Sequence, residues 1–253
     1  MDLNDKTIVI TGAARGLGAA MAKRLATHKG NLALVDLDTD SMADTVSACE
    51  QAGATATAYA ADVSNETDVI GVFDQVVADF GSVGGLINNA GILRDGLLVK
   101  FKDGELVSKM SLEDWQQVID VNLTGVFLCG REAAERMIKG GKPGVIINIS
   151  SISRAGNMGQ TNYSATKAAA HALTVTWAKE LARYGIRCAS IAPGFINTEM
   201  VASMKEEARD KLTSGIPLRR MGEPDEIAQT VEFIFQNDYV SGRCFDIDGA
   251  LRL

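Results

Sequence analysis

Histidine and cysteine are scarce in this chain of 253 residues, which has two of the first and four of the second. Cys49, Cys129, Cys188 and Cys244 are far apart and form no Cys-x-x-Cys pair, and only His28 and His171 could join them as soft ligands. Neither a zinc centre nor a disulfide framework is expected, and no metal is assigned. Positive charge is also in short supply: 25 Lys and Arg face 32 Asp and Glu, a net charge of −7. That balance argues against nucleic acid or an anionic membrane as partner. No apolar run approaches the ~18 residues of a membrane span, and Met1-Asp2-Leu3-Asn4-Asp5 lacks the basic and apolar regions of a secretory signal. Repeats, low-complexity tracts and linkers are missing too. The expectation is one domain over residues 1–253 in a reducing, cytoplasmic setting.

The chain does contain a short-period alternation of strand and helix patterns. Lys6-Thr7-Ile8-Val9-Ile10 reads as a buried strand and runs directly into Thr11-Gly12-Ala13-Ala14-Arg15-Gly16-Leu17-Gly18, after which helical periodicity begins. A strand, a glycine-rich turn and a helix N-terminus together form an anion site, because glycine lets the backbone approach a pyrophosphate and free N–H groups point at it. The second strand, Asn31-Leu32-Ala33-Leu34-Val35, ends at Asp36. A carboxylate there can accept hydrogen bonds from an adenosine ribose and would repel a 2′-phosphate, which favours NAD over NADP. Arg15 points the other way, since its guanidinium could pair with that phosphate. A third strand ends at Asp62-Val63, and a fourth runs into Asn88-Asn89-Ala90-Gly91. The alternation predicts a doubly wound parallel α/β sheet with helices on both faces.

Residues 97–110 break the rhythm. Two alternating runs flank Asp103-Gly104, a two-residue turn signal, and predict a β-hairpin with Lys102 opposite Glu105. Such a ribbon is marginal alone in water, so it packs on a second subunit or flanks the mouth of a site. Ser111 caps a long helical stretch over residues 115–139 that contains Asn122. The weak helical pattern over 199–215 reads as a mobile cover over a pocket.

The chemistry concentrates between Ser150 and Lys167. Ser150 and Ser151 end the apolar run Gly144-Val145-Ile146-Ile147, and Tyr163 and Lys167 follow, four apart and so on one face of a helix. A phenol titrates near ~10, so acid–base work near neutrality needs a shift of about three units, or about 4 kcal/mol. An exposed ion pair supplies only about 0–1 kcal/mol. The lysine must therefore act in a desolvated pocket, aided by a cationic cofactor.

Taken in order and spacing, Thr11 to Gly18, Asp62, Asn88 to Gly91, Asn122, Ser150 and Ser151, Tyr163-x-x-x-Lys167 and Pro193-Gly194 make the chain resemble the short-chain dehydrogenase/reductase family over almost its whole length. It is most similar to 3-oxoacyl-(acyl carrier protein) reductases and 3-hydroxyacyl-CoA dehydrogenases. The resemblance implies a Rossmann-type sheet of seven strands, a homotetramer or at least a dimer, and hydride transfer between a nicotinamide cofactor and a ketone or secondary alcohol. It implies Tyr163 as general acid or base, Lys167 as the group that lowers the tyrosine pKa and holds the nicotinamide ribose, a serine hydroxyl on the reacting oxygen, and Asn122 holding a water that links Lys167 to solvent. Gly12, Arg15, Gly16, Leu17, Gly18, Asp36, Asp62, Val63, Asn89, Ala90, Gly91, Tyr163, Lys167, Pro193, Gly194, Ile196 and Thr198 are the implied cofactor contacts. The family's usual spacing, thirteen residues before the tyrosine, selects Ser150, whereas counting along the strand from Gly144 selects Ser151. A deletion in the loop costs less than a register slip in a buried strand, which favours Ser151. A 3-oxoacyl thioester is the expected substrate; a sugar, steroid or other secondary alcohol is the rival, and a non-catalytic dinucleotide-binding scaffold the remoter one. The hairpin and Asp248-Gly249-Ala250 depart from the family pattern.

Overall fold

The structure is a computed structural model that describes residues 1–198 and 206–253. Its centre is a parallel sheet of seven strands, β1 (Thr7–Thr11), β2 (Asn31–Asp36), β3 (Thr55–Ala60), β4 (Gly85–Asn88), β7 (Gly144–Ile149), β8 (Ile186–Pro193) and β9 (Arg243–Ile247). They lie in the order β3-β2-β1-β4-β7-β8-β9, with β5 (Val99–Lys102) and β6 (Glu105–Lys109) forming a separate antiparallel pair. Every residue of β1, β4 and β7 is buried, as expected for strands covered on both faces.

Alternation along the strands sorts their side chains into two cores. Ile8 and Ile10 point to one layer, where they meet Met21 and Leu25 of α1 (Gly16–Ala26), Cys49 of α2 (Ala43–Gln51), and Ile227, Val231 and Phe235 of a late helix, Pro224–Gln236. Val9 points to the other layer. There Phe73 of α3 (Glu66–Phe80) packs with Leu128 and Met137 of α5 (Gly125–Lys139) and Ala178 of α6 (Thr161–Glu180). Phe73 and Phe235 are fully buried, and truncating either to alanine would cost about 3–5 kcal/mol.

Local signals set the ends of these elements. Asn65 caps α3 by accepting from the N–H groups of Thr67 and Asp68. Ser111 caps α4 (Leu112–Ile119), its Oγ accepting from Asp114 N at 3.0 Å. The hairpin forms with the expected Lys102–Glu105 pairing, and Asp103 and Gly104 both have positive φ (52° and 84°), the turn that matches strand twist. A register shift after Lys100 inserts a bulge.

One expectation differs from the fold observed. The helix predicted over 115–139 is broken into α4 and α5 by a π-helical turn at Asp120–Thr124. The last strand begins only at Arg243, and Val240 N ahead of it is bonded to Asn237 O in a turn. Of the cover expected over 199–215, residues 199–205 lie outside the described residues; Glu206–Gly215 is a helix, α7, and Pro224–Gln236 is then α8.

Candidate active site

The chain reverses direction across the sheet between β1 and β4, and at such a switch point the strand ends leave a crevice. The glycine-rich turn lies at one side of it. Gly12 has φ +66°, and a Cβ on it would come within 2.9 Å of Ala90 Cα and Asn89 Nδ2. A Cβ on Gly18 would fall 2.0 Å from Gly12 O. Asn89 closes the turn, its Nδ2 donating to the carbonyls of Thr11 and Gly12 at 3.0 Å each. The Thr11 hydroxyl accepts from the N–H groups of Asn89 and Ala90. Arg15 is exposed at the N-cap of α1 and caps it with no side-chain bond, which leaves the first N–H groups of the helix for a ligand. This cradle, filled by any Cβ and lined by free donors, fits the pyrophosphate of a dinucleotide.

Asp36 stands at the end of β2, its Oδ2 accepting from Ala14 N at 3.0 Å and its Oδ1 from Leu37 N at 2.9 Å. The carboxylate is thus fixed beside the turn. Asp62 Oδ1 accepts from Ser64 N and Oγ, and Val63 is buried against Gly125. Gly91 lies where a Cβ would sit 3.3 Å from Asn122 Oδ1 and 3.7 Å from Lys167 Nζ. Pro193 ends β8; Gly194 N donates to Ile247 O at 2.9 Å. Beyond it, Ile196 is buried, and Thr198 Cγ2 lies 3.9 Å from the Cβ position of Gly16. Leu17 packs on the first core cluster. The residues expected around a cofactor therefore gather at the carboxyl ends of the parallel strands.

The two serines separate cleanly. Ser150 Oγ donates to Lys167 O at 2.7 Å and is committed to α6. Ser151 Oγ accepts from Ser153 N at 3.1 Å, and its hydroxyl acts to lower the pKa of the Tyr163 phenol. β7 keeps its pairing with both neighbours as far as Asn148 and Ile149. Burial raises the Tyr163 pKa; the Ser151 hydroxyl opposes that shift and the Asp95 carboxylate adds to it. The phenol is therefore protonated at neutral pH. Burial alone lowers Lys167 to about 8. Its Nζ donates to Ile149 O at 2.8 Å and lies 5.5 Å from the Tyr163 ring centroid, so ammonium and phenol act on each other through space.

Asn122 occupies the π-helical turn and is fully buried, its Oδ1 accepting from Ile92 N at 2.8 Å and its Nδ2 donating to Ile92 O at 2.9 Å. A π turn disturbs the regular carbonyl ladder of a helix, and such turns recur at functional sites. Three features escaped the sequence reading. Asn88 and Asn148, paired in register, form a buried chain with Thr174; polar residues at two adjacent strand ends were the available signal. Arg154 ties the carbonyl of Ser151 to Asp246 of β9. Asn162 clamps the approach to Tyr163, as described below, and nothing local marks it.

This fold, with the glycine-rich cradle at its switch point, defines a dinucleotide-binding α/β oxidoreductase. The chain belongs to the short-chain dehydrogenase/reductase family, takes a nicotinamide dinucleotide, and acts on CH–OH groups. The family profile of enoyl-(acyl carrier protein) reductases matches residues 12–251. The 3-oxoacyl-(acyl-carrier-protein) reductase FabG of Thermotoga maritima is 39% identical over 99% of both chains. A (3R)-3-hydroxyacyl-CoA dehydrogenase of Rattus norvegicus is 40% identical over 98% of this chain and 97% of its own. A crystal structure of a short-chain type dehydrogenase/reductase from Mycobacterium marinum superposes with a TM-score of 0.90 at 31% identity, covering 98% of this chain and 96% of that one.

Proposed function

We propose that the protein is an NAD(H)-dependent oxidoreductase that interconverts a 3-oxoacyl thioester and its 3-hydroxyacyl counterpart. The observation that carries the reading is buried Lys167 with its Nζ 5.5 Å from the Tyr163 ring centroid, beside a Ser151 hydroxyl that acts on the phenol. The relatives at about this chain's full length, named for 3-oxoacyl and 3-hydroxyacyl substrates, support the choice of thioester.

A bound nicotinamide dinucleotide supplies the hydride for carbonyl reduction and accepts it in the reverse direction. Gly12, Arg15, Gly16, Leu17 and Gly18 would hold the pyrophosphate, and Asp62, Val63, Asn89, Ala90, Gly91, Pro193, Gly194, Ile196 and Thr198 would line the rest of the dinucleotide. Tyr163 delivers a proton to the carbonyl oxygen as that oxygen gains charge. The Ser151 hydroxyl donates to the same oxygen and stabilises the charge as it develops. Lys167 favours the phenolate left behind and holds a ribose hydroxyl. Asn122 holds a water that returns a proton to Lys167 from solvent. Raised by burial, the phenol arrives protonated, which suits the reducing direction.

Asp36, tethered by two backbone N–H groups, has its charge where a 2′-phosphate would lie, which supports NAD. Arg15 is exposed, and its side chain makes no capping bond to α1. A homotetramer, or a dimer within it, is the proposed assembly, in keeping with the apolar surface on α5 and α6. The test is turnover of acetoacetyl-CoA against a panel of sugar, steroid and simple ketones, with NADH and NADPH in parallel. The thioester with NADH should be fastest; a strong NADPH preference overturns the reading of Asp36, and faster turnover of an unrelated ketone overturns the thioester.

A further inference from the structure

The hairpin is the one piece of the sheet architecture that the proposed reaction leaves unused among the described residues. β5 and β6 pair only with each other, and every residue in them is exposed. Yet Leu97, Leu98, Val99, Phe101, Leu106 and Val107 are apolar and between 40% and 64% exposed. Phe101 and Leu106 lie directly opposite one another and share a face, while the neighbouring pair Lys102 and Glu105 takes the other. A ribbon of two strands is marginal in water without something on its apolar face.

The feet of this ribbon stand on the segment that leads into Tyr163. Asn162 is fully buried; its Nδ2 donates to Arg94 O at 2.9 Å, before the ribbon, and to Asp114 O at 3.2 Å, after it. Its Oδ1 accepts from the backbone N–H of Tyr163 at 2.8 Å. Gly96 N donates to Gly159 O at 2.8 Å, and Gln160 Nε2 to Asp95 Oδ2 at 2.9 Å. Leu97 and Leu98 continue from these anchors to the strands, and Met158, 88% exposed, directly precedes the anchor Gly159. The apolar surface is therefore tied to the segment that leads into Tyr163.

We propose that the apolar face of the 97–109 ribbon, with Met158, is the binding surface for the acyl chain of the substrate beyond its reacting carbonyl. This rests on the 3-oxoacyl thioester reading above. The apolar side chains begin at Leu97 and Leu98, next to the anchors on the Tyr163 segment, which favours a chain reaching out of the site over a second subunit. A methylene chain suits a surface with many apolar side chains and few polar groups, each buried methylene raising affinity by up to about four-fold. The ribbon thus sets chain-length preference, and its anchoring through Asn162 keeps it in register with Tyr163.

The test replaces Phe101 and Leu106 together by serine, both being exposed and outside the main sheet, and compares 3-oxobutanoyl-CoA with 3-oxododecanoyl-CoA. The short substrate should keep its kcat and KM within two-fold, while KM for the long one rises about ten-fold or more at unchanged kcat. An equal change at both lengths, or no change at the long one, overturns the proposal. So does a variant that sediments as a smaller species with its chain-length profile intact, which would make the ribbon a contact between copies. Calorimetric binding of dodecanoyl-CoA, which has no 3-oxo group to reduce, separates the two readings. If wild type reduces neither oxo-thioester, the reaction assignment fails, but about ten-fold weaker dodecanoyl-CoA binding by the variant still supports the ribbon surface. Equal binding by both proteins overturns it.

Discussion

Ser150 and Ser151 are neighbours in different surroundings. Ser150 Oγ is spent on the carbonyl of Lys167, whereas the Ser151 hydroxyl acts to lower the pKa of the Tyr163 phenol. Ser151→Ala should therefore lower kcat by about 10²-fold, in the range of a lost oxyanion donor. Ser150→Ala should keep most of the activity and lose about 0.5–1.5 kcal/mol of stability for the bond to α6. Steady-state kinetics and urea unfolding on both variants check this; the opposite pattern would move the role to Ser150. Lys167 adds a pH signature. Below about pH 8 both folded and unfolded chains carry the proton, and the ligand-free fold bears the full cost of a buried ammonium. Between 8 and the ordinary lysine value of 10.5 the unfolded chain binds the extra proton, so stability rises with pH over that window. In Lys167→Met this gain is missing. The Tm of wild type should therefore climb relative to that of the variant between pH 8 and 10.5; a constant difference across the window contradicts the shift.

At the scale of elements, Asn122 and the π-helical turn belong together. The turn places the side chain against both backbone groups of Ile92, and Asn122→Ala leaves that N–H and C=O partly buried without partners. A stability loss of about 1–3 kcal/mol is expected, measurable by chemical unfolding, together with a fall in kcat as the proton path to Lys167 is disturbed. Unchanged stability would mean that the backbone finds water instead. Much of this architecture was legible in the sequence. The strand–turn–helix at Gly12 to Gly18, the Asp103-Gly104 hairpin and the Asn65 and Ser111 caps are local signals, set by φ preferences and by hydroxyl or amide groups at the right offset. The break at Asn122 was not legible, since residues 115–139 keep helical periodicity through a π turn. The Asn162 clamp and the Arg154–Asp246 bridge were not legible either, because their partners lie 48 to 92 residues away. Only the fold brings them together. The bond from Ser150 Oγ to the carbonyl of Lys167 is likewise a contact that counting along the strand does not show.

For the whole molecule, the two helices that flank the catalytic strand, α5 and α6, leave Phe127 and Ile138 more than a third exposed around a groove floored by Trp177 and Leu181. Arg131 lies over the Phe127 ring and pairs with Glu66 and Glu132. Wild type should sediment well above the 26.9 kDa of one chain, and Phe127→Asp should shift it toward smaller species by burying an unpaired charge in the contact. Wild type that sediments as a single chain would remove the proposed assembly. The central claim is narrower: Tyr163 delivers the proton for carbonyl reduction in a site that binds the nicotinamide dinucleotide by other residues. The most direct measurement is 3-oxoacyl thioester reduction and NADH binding, side by side, for wild type and Tyr163→Phe. The account predicts that reduction falls by at least about 10²-fold while the NADH dissociation constant changes by less than a few-fold; reduction that persists at the wild-type rate with NADH bound would contradict it.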